Sequence, residues 1–146
     1  VKTEITSSVL CRRFPATDYG AHLARRRAVF HLTGCGHPPK SDTSTAVALI
    51  VSELAANAVR HGSASGEAAD GGFRLRVTAG PAPCTVRVEV SDALGGVLPW
   101  LTRCDDGEAE SGRGLLLVDS VAARWGVTPH GPAGKTVWAE YDAPPP

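Results

Sequence analysis

Glu53-Leu54-Ala55-Ala56-Asn57-Ala58-Val59-Arg60-His61-Gly62 closes the clearest helix in this sequence and carries two polar side chains one turn apart. Val47, Ile50, Val51, Leu54 and Ala58 recur at helical spacing and lay one apolar stripe along it. Ser41 or Asp42 can cap its start, and Gly62 sits in the C′ position that ends helices, so a helix is expected from about residue 41 to His61. Glu53 and Asn57 share a face, with Leu54 and Ala58 on the buried flank. A carboxylate and a carboxamide projecting together can serve a hard cation or polarise a water or hydroxyl. Polar pairs at this spacing are also routine on solvated helix faces, so this one acquires meaning from what surrounds it.

Working outward, residues 4–11 form a weak strand candidate that ends near Pro15. Thr17 to Thr33 holds Leu23, Ala24, Ala28, Val29 and Leu32 at helical spacing, capped by Thr17 or Asp18 and stopped by Gly34, Gly36, Pro38 and Pro39. Residues 63–72 read as a loop. Then the period changes: Phe73, Leu75 and Val77 alternate with arginines, and Val86, Val88 and Val90 alternate with Arg87 and Glu89, which makes a hairpin around Gly80-Pro81-Ala82-Pro83. Residues 92–113 are a loop long enough to suggest a function. A short helix from Leu115 to Ala123 and two strands, Arg124–Thr128 and Lys135–Asp142, complete the order β-α-α-β-β-α-β-β. That order predicts a mixed or antiparallel sheet with helices on one face, in a single domain over 1–146 with a core of about 15–142 and a Pro-rich tail, 143–146.

Composition narrows the classes of function. The fifteen basic and fifteen acidic side chains cancel, which argues against coating nucleic acid through bulk positive charge. Residues 1–40 nevertheless carry a net +5 and residues 41–146 a net −5. No apolar run approaches the roughly 18 residues of a spanning helix, so no membrane role is expected. Val1-Lys2-Thr3-Glu4-Ile5 lacks the pattern of a secretion signal, and the cytoplasm is the expected compartment. Cys11, Cys35, Cys84 and Cys104 have no metal-site spacing and are expected as free thiols.

Three further motifs accompany the helix. Asp92, at the end of an alternating strand, enters a loop with Gly95 and Gly96 and can offer its carboxylate to an exocyclic amine of a flat ligand. Gly112-Arg113-Gly114-Leu115 is expected to open a helix, where unpaired N–H groups and an arginine suit phosphate. It is not a dinucleotide fingerprint, because Leu117 stands where the third glycine belongs. Gly134-Lys135-Thr136 is not a Walker A loop, since Pro129 replaces its first glycine and a strand follows the lysine. Lys135 and Thr136 can still face a ligand from the start of that strand.

In order and spacing these four segments resemble the boxes of the GHKL ATPase superfamily, and within it the anti-sigma factor serine/threonine kinases. The resemblance covers roughly residues 15–142. It implies a Bergerat fold, an α/β two-layer sandwich with a mixed sheet and helices on one face. It implies ATP and Mg²⁺ as cofactors: Asn57 as the Mg²⁺ ligand, Glu53 as general base, and Asp92 receiving the adenine amine, with Gly96 allowing close approach and Thr136 in support. Gly112, Arg113, Gly114 and Leu115 would line the phosphates, and residues 97–111 would form the lid.

The partners so implied are a sigma factor and a STAS-type anti-sigma antagonist phosphorylated on serine, with no direct nucleic-acid contact and with homodimers common. One departure stands out. Leu94 occupies the first glycine position of the usual D-x-G-x-G box, and its Cβ narrows the approach to the base. Two functions therefore follow from the sequence: an ATP-dependent anti-sigma kinase, or a regulator that sequesters its partner without catalysis.

Overall fold

Strand alternation sets the two sides of the sheet. In β2 (Phe73–Ala79), Phe73, Leu75, Val77 and Ala79 are buried while Arg74 and Arg76 are exposed. In β3 (Cys84–Asp92), Val86, Val88 and Val90 are buried in the same way. The full order adds β1 (Ser8–Phe14), α1 (Asp18–Gly34) and α2 (Asp42–Ser65) before β2, then α3 (Ala109–Val121), β4 (Arg124–Pro129) and β5 (Lys135–Ala143) after β3. The computed structural model describes residues 7–65, 72–92, 109–130 and 134–146, and for 62–65 and 109–113 the backbone alone.

The sheet runs β1-β2-β3-β5-β4, and every pairing is antiparallel. Of the two sheet types the sequence allowed, this is the antiparallel one. Its buried face meets Ala24, Ala28 and Leu32 of α1, Val47, Ile50, Val51, Leu54 and Ala58 of α2, and Val118 of α3. α2 is the central helix: it packs on α1 and α3 and lies across β3 and β5. The edge strands carry Arg12 and Arg13 on one side and Arg124, Gly126 and Pro129 on the other, residue types that discourage further strand addition.

Helix caps fall where the sequence put them. The Thr17 hydroxyl accepts the Gly20 N–H at 2.9 Å, and the Ser41 hydroxyl accepts the Ser44 N–H at 3.2 Å. Boundaries differ by more than one residue in three elements. β1, Ser8–Phe14, continues past residue 11 up to Pro15, because its register is fixed at the far end, where Phe14 pairs and stacks with Phe73 at 5.8 Å; residues 4–6 lie outside the described residues. α2 continues through Gly62 to Ser65, since one glycine costs a helix only about 1 kcal/mol. α3 begins at Ala109, ahead of Gly112, and ends at Val121 because the Ala123 N–H already donates to the Glu140 carbonyl, 2.7 Å away.

Gly72 shows why the turn into β2 needs glycine. Its φ is +61°, and a Cβ there would lie 2.2 Å from the Phe14 carbonyl oxygen. Cys11, Cys35 and Cys84 are free thiols, as expected, while Cys104, Leu94, Gly96 and residues 97–108 of the expected lid lie outside the described residues, and 109–111, its last three, belong to α3. Among the described residues no helix is long and apolar enough to cross a membrane.

Candidate functional site

The apolar stripe of α2 turns Glu53 and Asn57 toward the flank facing α3. Glu53 is half-buried, and Asn57 is 2% exposed. The Asn57 carboxamide oxygen accepts a hydrogen bond from the Arg60 guanidinium, one turn further along. Its Nδ2 has no hydrogen-bond partner among the described residues, an unusual state for a buried amide. Gly114 of α3 lies directly over Glu53: a Cβ on Gly114 would stand 2.7 Å from Glu53 Oε1. The carboxylate thus has room only because residue 114 has no side chain.

Asp92 and Lys135 form the last rung of the β3–β5 ladder, directly opposite each other on the helix-covered face. The Lys135 ammonium donates to both carboxylate oxygens, at 3.2 and 3.0 Å, with Lys135 1% and Asp92 8% exposed at the side chain. Such burial is rare for lysine and tolerable only with a partner. Thr136 is one residue out of step with Asp92. It pairs with Ser91, so its side chain projects from the opposite face, where its hydroxyl lies 2.7 Å from that of Ser91 and 2.9 Å from His130 Nε2. A cavity of about 440 Å³ lined by Ser91, Asp92, His130, Thr136, Arg13 and Arg74 opens at this end of the sheet.

The structure therefore joins Glu53 with Gly114 and sets Lys135, not Thr136, against Asp92. Gly112, Arg113 and Gly114 lie within the first two turns of α3 rather than before it, which leaves Gly112 the one of the three whose N–H falls among the first four of the helix. The Leu115 side chain is buried in the packing of α3. Two participants escaped the sequence reading. Arg60 stood in plain view, three residues after Asn57 and hence on its face. The Asp92–Lys135 pair needed the β3–β5 register.

The family model for the histidine kinase-like ATPase domain matches residues 14–141. The chain belongs to that family. Solved structures similar to this ATPase domain carry the same fold. The RsbU and RsbW domains of Rv1364c from Mycobacterium tuberculosis align with a TM-score of 0.67 and 21% identity, over 95% of this chain and 33% of that one. The SiaB–SiaC complex from Pseudomonas aeruginosa aligns with a TM-score of 0.61 and 12% identity, over 90% of this chain and 88% of that one. The domain thus spans about a third of the length of the Mycobacterium chain. Comparison with curated proteins finds no significant sequence match.

The residues of this ATPase domain fit a magnesium nucleotide. No cluster of three His, Cys, Asp or Glu side chains among the described residues could hold a metal by itself. Mg²⁺, however, is commonly held by one or two protein oxygens with phosphates and water completing the shell. The Asn57 oxygen would serve Mg²⁺ once the Arg60 guanidinium gives it up, its unpartnered Nδ2 is a donor that suits a phosphate oxygen, and Gly114 leaves open space beside Glu53.

Proposed function

We propose that this domain binds ATP with Mg²⁺ and transfers the γ-phosphoryl group to a serine or threonine of a partner protein, as an anti-sigma-factor-type kinase of the cytoplasm. The observation that carries the reading is the α2 pair: the Glu53 carboxylate, kept uncovered by Gly114, one turn from the buried Asn57 amide. Mg²⁺ held by Asn57 would supply positive charge to the phosphate oxygens. Glu53 removes the proton of the attacking hydroxyl as its oxygen bonds to phosphorus; the bond from that phosphorus to the bridging oxygen breaks, and ADP leaves with the electron pair. Asp92 receives the adenine amine, and α3 meets the phosphates through the free N–H of Gly112 and the charge of Arg113, with Gly114 leaving room and Leu115 packed behind them.

The partners we propose are a sigma factor and a STAS-type antagonist, the latter bearing the acceptor serine, and a homodimer is part of the proposal. The outer face of α1 is a suitable docking surface. Arg25, Arg26 and Arg27 are exposed there, Tyr19 and Phe30 are 67% and 70% exposed, and the Arg27 guanidinium lies 5.6 Å from the Phe30 ring centre. Basic and aromatic side chains together suit an acidic partner with an apolar pocket.

With labelled ATP, Mg²⁺ and candidate antagonists, label should reach a serine, and Glu53→Ala should slow transfer by about 10²- to 10⁴-fold, the usual effect of a general base. Unchanged transfer by that variant overturns the role of Glu53. The second reading, sequestration without catalysis, rests on Leu94 in the glycine box. Calorimetric absence of ATP binding at millimolar concentration would favour it and remove the kinase.

A further inference from the structure

We propose that the open face of the sheet carries a second site, which binds the phosphate group of a phosphomonoester between Arg13, Arg74 and the hydroxyls of Ser91 and Thr136. The site does not depend on the nucleotide reading above. Phe14 with Phe73 and Val90 with Val137 are the adjacent rungs that face the core. Arg13, Arg74, Ser91 and Thr136 therefore leave the sheet on its other side, away from the helices that carry Glu53, Asn57 and Gly114.

The register sets these four residues in one line. Arg13 of β1 stands opposite Arg74 of β2, Arg74 opposite Ser91 of β3, and Ser91 opposite Thr136 of β5. Neighbouring strands lie about 5 Å apart, so two long guanidinium side chains and then two short hydroxyl ones follow one another across about 14 Å. Long side chains beside short ones leave a hollow. That hollow is the cavity of about 440 Å³, which His130 also lines. Thr136 is 8% exposed, and its hydroxyl lies 2.7 Å from that of Ser91 and 2.9 Å from His130 Nε2.

Charge selects the ligand. Elsewhere on this face Arg87 is paired with Glu89 and Glu140, and Arg124 with Glu140 and Asp142. Arg74 has no ion-pair partner among the described residues. Asp92 is the only acidic residue among those described that line the cavity, and Lys135 donates to both of its oxygens, which cancels its charge. Like charges directly opposite each other cost a sheet free energy, and an oxyanion held between the two guanidinium groups offsets that cost. A planar carboxylate fills one guanidinium fork, whereas a phosphate has oxygens for both and for a hydroxyl that rotates to meet it. A bare ion would occupy a small part of the space, which lies within the range of about 300–1,000 Å³ usual for small-molecule sites, so the ligand is an ester.

NMR titration of the isotope-labelled intact chain tests this, with inorganic phosphate and glycerol phosphate as probes at fixed ionic strength and glycerol as the neutral comparison. Glycerol phosphate should shift the amide resonances of Arg74, Ser91 and Thr136 saturably, with a dissociation constant of about 10 mM or tighter, and inorganic phosphate should shift the same resonances more weakly. Glycerol should shift none of them. No saturable shift at these residues overturns the proposal, and shifts confined to Asn57 and Gly112 overturn it by placing phosphate on the nucleotide side. Arg74→Gln should weaken binding about tenfold or more, the usual loss for a charge-assisted hydrogen bond. Arg76→Gln removes the same charge two residues along the same strand face, outside the cavity, and should leave the affinity within about twofold. Equal weakening by the two variants would mean that the face attracts anions only through its overall field, and overturns the site. Arg13→Gln repeats the comparison if Arg74→Gln loses the native circular dichroism.

Discussion

Gly114 ties two parts of the site together without contributing a side chain. In Gly114→Ala the new methyl group would sit 2.7 Å from Glu53 Oε1, and the carboxylate, being the far end of a flexible side chain, would turn aside. Stability should fall by less than about 1 kcal/mol, as for most substitutions that force no backbone shift. Phosphoryl transfer should fall about 10²-fold, because displacing a reacting group by an ångström is enough for that loss. Parallel thermal melts and initial rates check it; a rate within twofold of wild type would show that Glu53 does not need this space. At this scale the sequence was legible wherever one helical period set the answer. Glu53 and Asn57 share a face by spacing alone, whereas the exchange of Thr136 for Lys135 beside Asp92 depends on pairing across 43 residues of chain.

Among the elements, β3, β5 and β4 are linked on the open side of the sheet by side chains no single strand reveals. Glu140 of β5 accepts from Arg87 and Arg124 at 2.8 Å each, Arg124 also holds Asp142 at 2.7 Å, and the Arg87 guanidinium lies 4.5 Å from the Trp138 ring centre. Hydrogen bonds from Arg124, then Arg87, hold the Glu140 carboxyl below the usual carboxylate range; those from Arg124, then Thr85, do the same for Asp142. Carboxyls depressed in the folded chain bind protons more readily when unfolded, so their stabilisation is complete above about pH 4.5 and disappears as pH falls through the folded values. Urea midpoints should therefore drop between pH 5 and pH 3 by more in the wild type than in Arg124→Ala, and the difference should shrink in high salt because Arg124 and Asp142 are exposed and Glu140 is only half-buried. Equal drops would mean the network contributes nothing measurable. The starts of α1 and α2 and the β2–β3 hairpin were readable here because caps and alternation are local, whereas the start of α3 at Ala109 was not. The ends of β1, α2 and α3 were not, since pairing with Phe73, tolerance of Gly62 and capture of Ala123 by Glu140 are tertiary events.

For the molecule as a whole, the charge asymmetry of the sequence becomes spatial. Residues 1–40 hold the net +5, and the arginines of α1 stand away from the side where Ala24, Ala28 and Leu32 meet the core. Reversing Arg25→Glu, Arg26→Glu and Arg27→Glu together should weaken capture of an acidic partner at least tenfold in surface plasmon resonance and leave ATP affinity within twofold. Loss of both would mark a folding defect, and loss of neither would remove α1 from partner binding.

The strand order carries a consequence for how the chain is made. β5 is the last strand in sequence, yet it lies between β3 and β4. Until β5 has left the ribosome, β3 and β4 each present an unpaired edge, with Val86, Val88 and Val90 beside one of them. Synthesis at about 5–20 residues per second makes that interval brief, but an arrest before residue 135 would prolong it and expose a surface that pairs readily with other nascent chains. The closing strand is thus also a chaperone for its own sheet, and stalls that hold β5 back inside the ribosome should be the ones that this protein tolerates least.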